Sequence, residues 1–215
     1  MSISTREKSN ILRTKKAFYD AFLDLMENNS FESISATSII KKSGYSRSAF
    51  YAYFYSKYDL VEKYIINEAG ALVEALCTEL SSTEEYTYED DIFYPGLFMF
   101  EHVLENRRFY QNLIHDKITG YNIDMLAKKF ATATQALLVL NYPDDIKQKL
   151  DMDLYCFITA DSYISFIKFW DKNNYSYTPE ELARKMMYNF VRTKKINGVS
   201  MKKLPPDFNL SSLLL

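Results

Sequence analysis

The sequence contains few residues that interrupt helices and few that bind metals or form catalytic clusters. Its 215 residues include only five glycines, five prolines, two cysteines and two histidines. Cys77 and Cys156 form no CxxC pattern, and His102 and His115 have no cysteine or paired acid at ligand spacing. These absences argue against a metal centre, a redox disulfide and a nucleophilic triad. We therefore expect two buried reduced thiols, no cofactor and no enzymatic activity.

The sequence also lacks a long apolar run. No segment is long and apolar enough to span a bilayer, and the first residues do not resemble a signal peptide. With 47% hydrophobic and 25% charged residues, the composition is typical of a folded soluble protein. Because no stretch alternates polar and apolar residues as a strand would, we expect an all-α fold. We also expect a cytoplasmic location and no membrane partner.

Positive charge is concentrated at the start of the chain. The net charge of −2 averages over two unlike parts. Residues 1–60 contain nine Lys or Arg against six Asp or Glu, a net charge of +3, which leaves −5 for the remainder. A basic first part on an acidic remainder indicates a protein that touches phosphate groups with one end only.

Four helices are predicted in the first third of the chain. Apolar residues recur at helical spacing over residues 13–26, and Ser35 can cap a short second helix. Gly44 supplies the backbone freedom of a tight turn, after which Ser46 can cap a third short helix. The sequence "SKYD" at 56–59 matches an [ST]-x-x-[DE] capping box and predicts the start of a fourth helix.

The predicted third helix is both aromatic and polar. The segment "SGYSRSAFYAYFYSK" holds six aromatic rings in fifteen residues. A spacing of four places Phe50 and Phe54 on an inward face, together with Tyr45. The outward residues are then Arg47, Ser48, Tyr51, Ala52 and Tyr53. Two short helices joined by a glycine turn, with a supporting helix on each side, indicate a helix-turn-helix unit whose third helix enters the major groove of DNA.

Residues 13–61 resemble the DNA-binding domain of TetR-type transcriptional regulators. The resemblance rests on "RTKKAFYDAFLDLM" and then "FESISATSIIKKSGYSRSAFYAYFYSKYDLV", in which "SGYSR", "FYAYF" and "SKYDL" occur in the family's order. Tyr53 departs from the family's usual histidine, and Ala36 from its frequent threonine. The stretch "SRSAFY" is similar to a subgroup common in low-GC Gram-positive bacteria, which includes regulators of dihydroxyacetone kinase operons. Since that subgroup includes an activator, repression and activation both stay open.

The resemblance implies contacts with double-stranded DNA. The predicted DNA-binding residues are Ser35, Thr37, Ser46, Arg47, Ser48, Tyr51, Tyr53 and Lys57. Ser35 and Thr37 would meet phosphates. Arg47, Ser48 and Tyr51 would face the major groove, and Tyr53 would contact the DNA backbone. Lys57 would contact the DNA backbone, because a lysine at the positive end of a helix favours a nearby anion. Packing aromatics and an ordinary solvated lysine are the alternatives.

The resemblance also implies two domains. Residues 1–56 would form the three-helix DNA-binding domain, and residues 57–215 a helical bundle for ligand binding and dimerisation. Helices in the bundle are predicted near residues 92–104, 107–115, 121–140, 144–171 and 179–195. An exposed loop at 81–91 and an extended end at 197–215 complete the prediction.

Two apolar stripes on the last helices fit a homodimer interface. The stripes contain Leu182, Met186, Met187, Phe190 and Val191 on one helix, and Ile164, Ile167 and Trp170 on the other. A core within one chain would explain the same stripes. A dimer has a physical reason in its favour, since two recognition helices about 34 to 36 Å apart read successive major-groove faces of a near-palindromic operator.

Six residues of the bundle are candidates for binding a small-molecule effector: Phe98, His102, Phe109, Tyr110, Tyr155 and Phe166. They offer aromatic walls with polar groups, although aromatic residues at helical spacing fit a core equally well. Two other functions stay open. One is a helical enzyme or ligand carrier whose first unit is only structural. The other is a regulator whose body binds another protein, which a solid interior would favour.

Overall fold

The structure is a computed structural model that describes residues 5–77, 90–141 and 151–193. Its helices there are α1 (Thr5–Met26), α2 (Ala36–Ser43), α3 (Arg47–Tyr53), α4 (Lys57–Cys77), α5 (Asp90–Glu105), α6 (Arg107–Ile114), α7 (Ile123–Asn141), α8 (Met152–Lys172) and α9 (Pro179–Thr193). An isolated β-bridge joins Ile118 and Tyr121. The predicted all-α fold is confirmed.

Helix α1 begins eight residues before its predicted start at Arg13. Residues 5–12 contain no glycine or proline, and Glu7 lies in the first turn, where a negative charge favours the positive end of the helix. Leu12 is 62% exposed, so this part of the helix has no buried apolar face and its sequence shows no helical periodicity of apolar residues. The extension could not be predicted from periodicity for that reason.

The described ends of the helices after α4 lie within two residues of their predicted positions, except the start of α8. This helix is predicted to begin at 144 but begins at Met152, because Asp151 caps it and accepts a hydrogen bond from the Leu154 amide at 3.0 Å. Asp90 and Asp91, predicted as the end of an exposed loop, belong to α5. Residues 144–150, the predicted loop at 81–89 and the predicted tail at 197–215 lie outside the described residues. Before α9, Thr178 and Glu181 form the capping box, in which Glu181 Oε2 accepts from the Thr178 amide at 2.8 Å.

An aromatic core holds the first three helices together. The ring of Phe18 on α1 lies edge-on to those of Phe50 at 5.2 Å and Phe54 at 5.9 Å, and Tyr45 is tilted against it at 5.5 Å. Phe50 and Phe54 are buried as predicted. Phe54, however, lies just beyond α3 in extended backbone. Edge-to-face contacts between aromatic rings have a preferred geometry, so this small core fixes the orientation of α3.

The body is a bundle in which α4 packs against α5 and α7, α7 against α8, and α5 against α9. Gly96 makes the last contact possible, because a Cβ atom there would lie 2.3 Å from Cε of Met186. Cys156 is a buried free thiol, as predicted, and burial raises its pKa to about 11. The side chain of Cys77 lies outside the described residues. None of the described helices meets the length and apolarity needed to cross a membrane.

The two apolar stripes predicted as a dimer interface are core within one chain. Their described members are all buried: Ile164, Ile167, Trp170, Leu182, Met186 and Met187. The side chains of Phe190 and Val191 lie outside the described residues. The stripes face inward because α9 packs on α5 and α8 packs on α7. The interpretation as an interface is therefore wrong for these residues, and the alternative of an intrachain core is correct.

Candidate nucleic-acid interface

The start of α2 is closed by a capping box built from two serines. Ser35 Oγ accepts a hydrogen bond from the Ser38 amide at 3.1 Å, and Ser38 Oγ accepts from the Ser35 amide at 3.0 Å. These bonds satisfy two amides that a helix end would otherwise leave unpaired. Ser35 and Thr37 are both exposed at this end. The predicted phosphate-contacting pair thus lies on an ordered helix start that faces solvent.

The turn between α2 and α3 follows the predicted glycine pattern. Gly44 caps α2 with a φ of 74°, in the left-handed region where a side chain would be strained. Ser46 then caps α3, and its Oγ accepts from the Ala49 amide at 3.1 Å. The hydroxyls of Ser46 and Ser48 lie 2.9 Å apart. Local signals in the sequence therefore set both the exit from α2 and the entry into α3.

The outward face of α3 is polar and aromatic, as predicted. Arg47, Ser48 and Tyr51 are exposed, and 45% of Tyr51 is accessible. The Arg47 guanidinium lies 6.0 Å from the Tyr51 ring centroid, and the Tyr51 ring meets the buried Phe50 ring edge-on at 5.3 Å. Arg47 thus lies close to the Tyr51 ring, and the Tyr51 ring contacts the core. This face can offer hydrogen bonds to base edges without a loss of order in the helix behind it.

Tyr53 lies at the edge of this face, where two lysines approach it. It is half-buried, with Lys15 Nζ 5.9 Å from its ring centroid. Lys63 Nζ donates to its carbonyl oxygen at 2.8 Å. Burial, followed by the charge of Lys63, lowers the pKa of Lys15. Lys63 Nζ is also paired with Asp59 Oδ2 at 3.0 Å, so the positive charge that would suit a phosphate neighbour at this edge is mainly that of Lys15.

Two exposed tyrosines near this face were missed by the sequence reasoning. Tyr55 is 83% exposed in the link between α3 and α4, and Tyr58 is 52% exposed in the first turn of α4. The Tyr55 amide donates to Asp59 Oδ2 at 2.8 Å, while Ser56 Oγ accepts from the Asp59 amide at 3.2 Å. The carboxylate of the predicted capping box therefore reaches one residue further back than expected. The signal was that residues 43–57 contain six aromatic rings, whereas the predicted core uses only those of Tyr45, Phe50 and Phe54. The remaining rings had to lie outside that core.

Lys57, which is predicted to contact the DNA backbone, has its ammonium bound within the protein. Its Nζ donates to the carbonyl oxygens of Phe31 at 2.7 Å, Glu32 at 3.1 Å and Ile34 at 2.8 Å. An ammonium group has three hydrogen-bond donors, so all three are used inside the protein. The lysine at the positive end of α4 is therefore explained by carbonyl oxygens and needs no phosphate.

Three of the six predicted effector-binding residues lie together, around a buried carboxylate. His102 Nε2 lies 2.7 Å from Oε2 of Glu68, which is 2% exposed, and the Tyr110 ring meets the His102 ring edge-on. Phe109 is fully buried and stacks on Tyr64 at 3.8 Å. Burial, followed by the charge of Glu68, raises the pKa of Tyr110 well above its ordinary value.

The other three predicted effector-binding residues are half-buried elsewhere in the bundle. Phe166 on α8 packs against Phe100 at 6.4 Å, and Phe98 and Tyr155 lie on α5 and α8. Glu68 itself was missed. Its signal was a lone glutamate in the apolar run "YIINEAGALV", four residues after Tyr64 and four before Leu72, both of which are buried.

Two family models match separate parts of the chain. Residues 18–64 match the model described as bacterial regulatory proteins, tetR family, and residues 96–191 match the model of a transcriptional regulator C-terminal region of the TetR type. The chain belongs to the TetR family of transcriptional regulators. The first match spans the core of the helix-turn-helix unit and every predicted DNA-binding residue, and the second spans most of the described body. As a TetR-family member, the protein is a DNA-binding transcriptional regulator.

Known TetR-family proteins resemble the chain in sequence and in fold. It is 28% identical over 131 residues to the HTH-type dhaKLM operon transcriptional activator DhaS of Lactococcus lactis, covering 54% of this chain and 70% of that protein. The solved structure of the fatty acid degradation regulator FadR from Bacillus halodurans matches with a TM-score of 0.62 at 14% identity, over 85% of this chain and 96% of that one. A TetR-family regulator from Syntrophomonas wolfei matches with a TM-score of 0.61 at 18% identity, over 86% and 97%. At these identities the two structures show the fold alone.

Proposed function

We propose that this TetR-family regulator reads its operator with the outward face of α3, in a DNA-binding unit of residues 1–56. The observation that carries the proposal is the exposed polar face of α3 on a buried aromatic core. Arg47, Ser48 and Tyr51 would contact base edges, and Tyr53 the DNA backbone. At the helix starts, the hydroxyl oxygens of Ser35 and Ser46 accept hydrogen bonds from backbone amides as helix caps. A hydroxyl group can also donate a hydrogen bond, so these two groups and that of Thr37 could each donate to a phosphate.

We propose that the protein acts as a homodimer through an apolar face of α8 and α9. On α8, Leu154, Phe157 and Ile158 are 54%, 56% and 45% exposed, and their spacing of three and four places them on one side of the helix. Tyr188 on α9 is 62% exposed. Exposed apolar groups on neighbouring helices are typical of a surface that a partner covers. Two copies would then present two α3 helices to a near-palindromic operator.

The body, residues 57–215, is proposed to bind a small-molecule effector. Support comes from the buried Glu68 and His102 pair beside Tyr110, because polar groups within apolar walls are typical of ligand sites. An effector changes DNA affinity only by its differential affinity for two arrangements of the dimer. One similar protein, DhaS, is an operon activator, so the regulator proposed here could activate or repress transcription. Since chromosomal DNA is the proposed partner, we also propose a cytoplasmic location.

Selection of bound fragments from genomic DNA tests the dimer and the operator together. The wild-type protein should select an inverted repeat, and sedimentation should give a dimer. Phe157→Glu should give a monomer and lose the second half-site, because it places a charge in the apolar face. Leu104→Glu is the matched control, since Leu104 is a 40% exposed apolar residue on α5, outside both that face and the DNA-binding unit. A dimer that survives Phe157→Glu unchanged would contradict the proposed interface.

The effector proposal needs a separate experiment. The small-molecule fraction of a cell extract should change the affinity of the purified protein for the selected operator, and this response should be lost in Glu68→Leu. An activity that stays with the macromolecular fraction would instead favour regulation by a protein partner.

A further inference from the structure

Lys57 is the first residue of α4 and ties that helix to the loop between α1 and α2. Its ammonium is surrounded by three carbonyl oxygens, those of Phe31, Glu32 and Ile34, at 2.7 to 3.1 Å. The same group lies 4.5 Å from the centroid of the Phe31 ring and 5.3 Å from that of Tyr58. Carbonyl dipoles and ring faces are both attractive to a cation, so this environment offsets the unfavourable position at the positive end of a helix.

The loop that Lys57 holds leads directly into α2. Its own backbone bonds are the short turns from the Ser33 amide to Ser30 O and from the Ile34 amide to Phe31 O, at 3.1 and 3.3 Å. Phe31 and Ile34 are buried residues, and the hydrogen bonds from Lys57 to their carbonyl oxygens are partly shielded from solvent, so the ammonium is not readily replaced there by water. The next residue is Ser35, the cap of α2. The ammonium therefore determines where α2 begins relative to α4.

We infer that Lys57 is a positioning residue for DNA binding, which fixes Ser35 and Thr37 at the start of α2 and makes no phosphate contact of its own. The inference rests on the proposed function, in which those two residues meet the DNA backbone. Loss of the ammonium would leave the three carbonyl groups without their common partner and allow the α2 start to move. The protein would then lose the phosphate contacts of α2, although no group that touches DNA had been changed.

The experiment compares Lys57→Met, Lys57→Arg and the exposed control Lys41→Met in the full chain. Kd for the selected operator is measured against salt concentration, at a temperature where circular dichroism shows each variant folded. One phosphate contact contributes about 0.9 to the slope of log affinity against log salt. Lys57→Met should weaken binding about tenfold. Lys57→Arg should weaken it similarly, because a planar guanidinium cannot replace a tetrahedral ammonium among three carbonyls.

A direct phosphate contact predicts the opposite for arginine. Arginine keeps the charge and binds phosphate well, so near-wild-type affinity and slope for Lys57→Arg would overturn the inference. A double-mutant cycle with Thr37→Ala separates positioning from general support of the fold. If Lys57 acts through α2, Thr37→Ala should cost little further affinity in the Lys57→Met background. Additive losses would overturn a positioning role.

Amide hydrogen exchange gives a readout that does not require DNA. The amides of Ser38 and Ile39, which donate to Ser35 Oγ and Ser35 O, should exchange faster in Lys57→Met than in Lys41→Met. Unchanged exchange would overturn the inference even if the wild-type protein bound its operator as proposed. Faster exchange in a protein that bound no DNA would instead contradict the proposed function and leave the structural part of the inference standing.

Discussion

The helix-turn-helix unit and the helical body both have apolar cores, but they differ in where they place some of their charged side chains. In the unit, Arg47 and Tyr51 face solvent around a core of rings such as Phe18 and Phe50. In the body, a carboxylate is inside, where Glu68 is held by His102 at 2.7 Å. A second is held in the same way, since His115 Nε2 lies 2.9 Å from Oδ2 of the buried Asp171.

The outer surfaces differ correspondingly. Helix α3 exposes polar and basic groups, whereas α8 exposes Leu154, Phe157 and Ile158. A surface that binds the phosphate-rich duplex should be polar and positive, and one that binds a second copy should be apolar. The carboxylate–histidine pairs of the body join different elements, α4 with α5, and the residue that caps the end of α6 with α8. Polar side chains thus face solvent on the third helix of the unit, whereas in the body some of them connect helices internally.

The largest effect is expected from the core of the unit. Phe50→Ala should lower the free energy of unfolding by about 3–5 kcal/mol, because it removes a fully buried ring that contacts Phe18 and Phe54. Tyr51→Ala, one residue later, should change stability by only about 0.5 kcal/mol or less and yet weaken operator binding. Urea unfolding followed by circular dichroism measures the first and fluorescence anisotropy the second. Equal losses of stability would remove the distinction between core and face.

Arg47→Ala tests whether the exposed face reads bases. It should cost about 1–3 kcal/mol of operator affinity and relax the preference at one position of the selected sequence. Lys41→Ala, also an exposed basic residue of the unit, should leave the selected sequence unchanged. Binding-site selection with both variants makes the comparison. An unchanged sequence preference for Arg47→Ala would contradict its role at a base edge.

His102→Ala tests the buried carboxylate of the body. Glu68 would lose its partner while still buried, so we expect a loss of about 1–3 kcal/mol in the free energy of unfolding. Glu68→Gln keeps an oxygen that can accept from the His102 ring, and should cost less. Thermal unfolding monitored by the fluorescence of Trp170, which is buried in the body, reports on this region. A larger loss for Glu68→Gln than for His102→Ala would disprove this account of the pair.

The smallest effect is expected where the two regions meet at the surface. Arg108 on α6 donates to Asp24 of α1 and to Glu27 just after α1, at 2.8 Å in both cases. About half of each side chain is exposed, so Arg108→Ala should cost only about 0.2–1 kcal/mol. Lys16→Ala, which removes an ion pair within α1 alone, is the control.

The contribution of Arg108 should also depend on pH. Its hydrogen bond lowers the pKa of Asp24 from the ordinary value of 3.8. A lowered pKa in the folded state means that the ionised carboxylate is stabilised by folding. The contribution is therefore present above pH 3.8 and is lost as the pH falls through the lowered pKa. Unfolding free energies of wild type and Arg108→Ala should converge in acid, and a difference that grew there would contradict the assignment.

Most of the helix-turn-helix unit could be predicted because its signals are local. Ser35, Gly44 and Ser46 act on residues within four positions of themselves, and the structure shows all three in their predicted capping roles. Lys57 could not be predicted, since the carbonyl groups it binds lie 23 to 26 residues earlier in the chain. The pairing of Glu68 could not be predicted either, because its partner His102 is 34 residues away in the chain.

The stripes on α8 and α9 show the same limit from another side. Their periodicity correctly predicted two amphipathic helices, but an apolar stripe looks the same whether it meets the chain's own core or a second copy. Burial of Ile167 and Met186 decided this question, and exposure of Phe157 moved the proposed interface to another face of α8.

The amino-acid sequence by itself determined the all-helical fold, the caps and turn of the DNA-binding unit and the polar face of α3. These features depend on backbone conformation and on neighbours within one or two helical turns. Only the tertiary structure decided which apolar faces are inside, which carboxylates are paired and what the ammonium of Lys57 binds. Those outcomes depend on groups from distant parts of the chain that come together in the fold, and no local sequence pattern indicates which of the possible partners will be in contact.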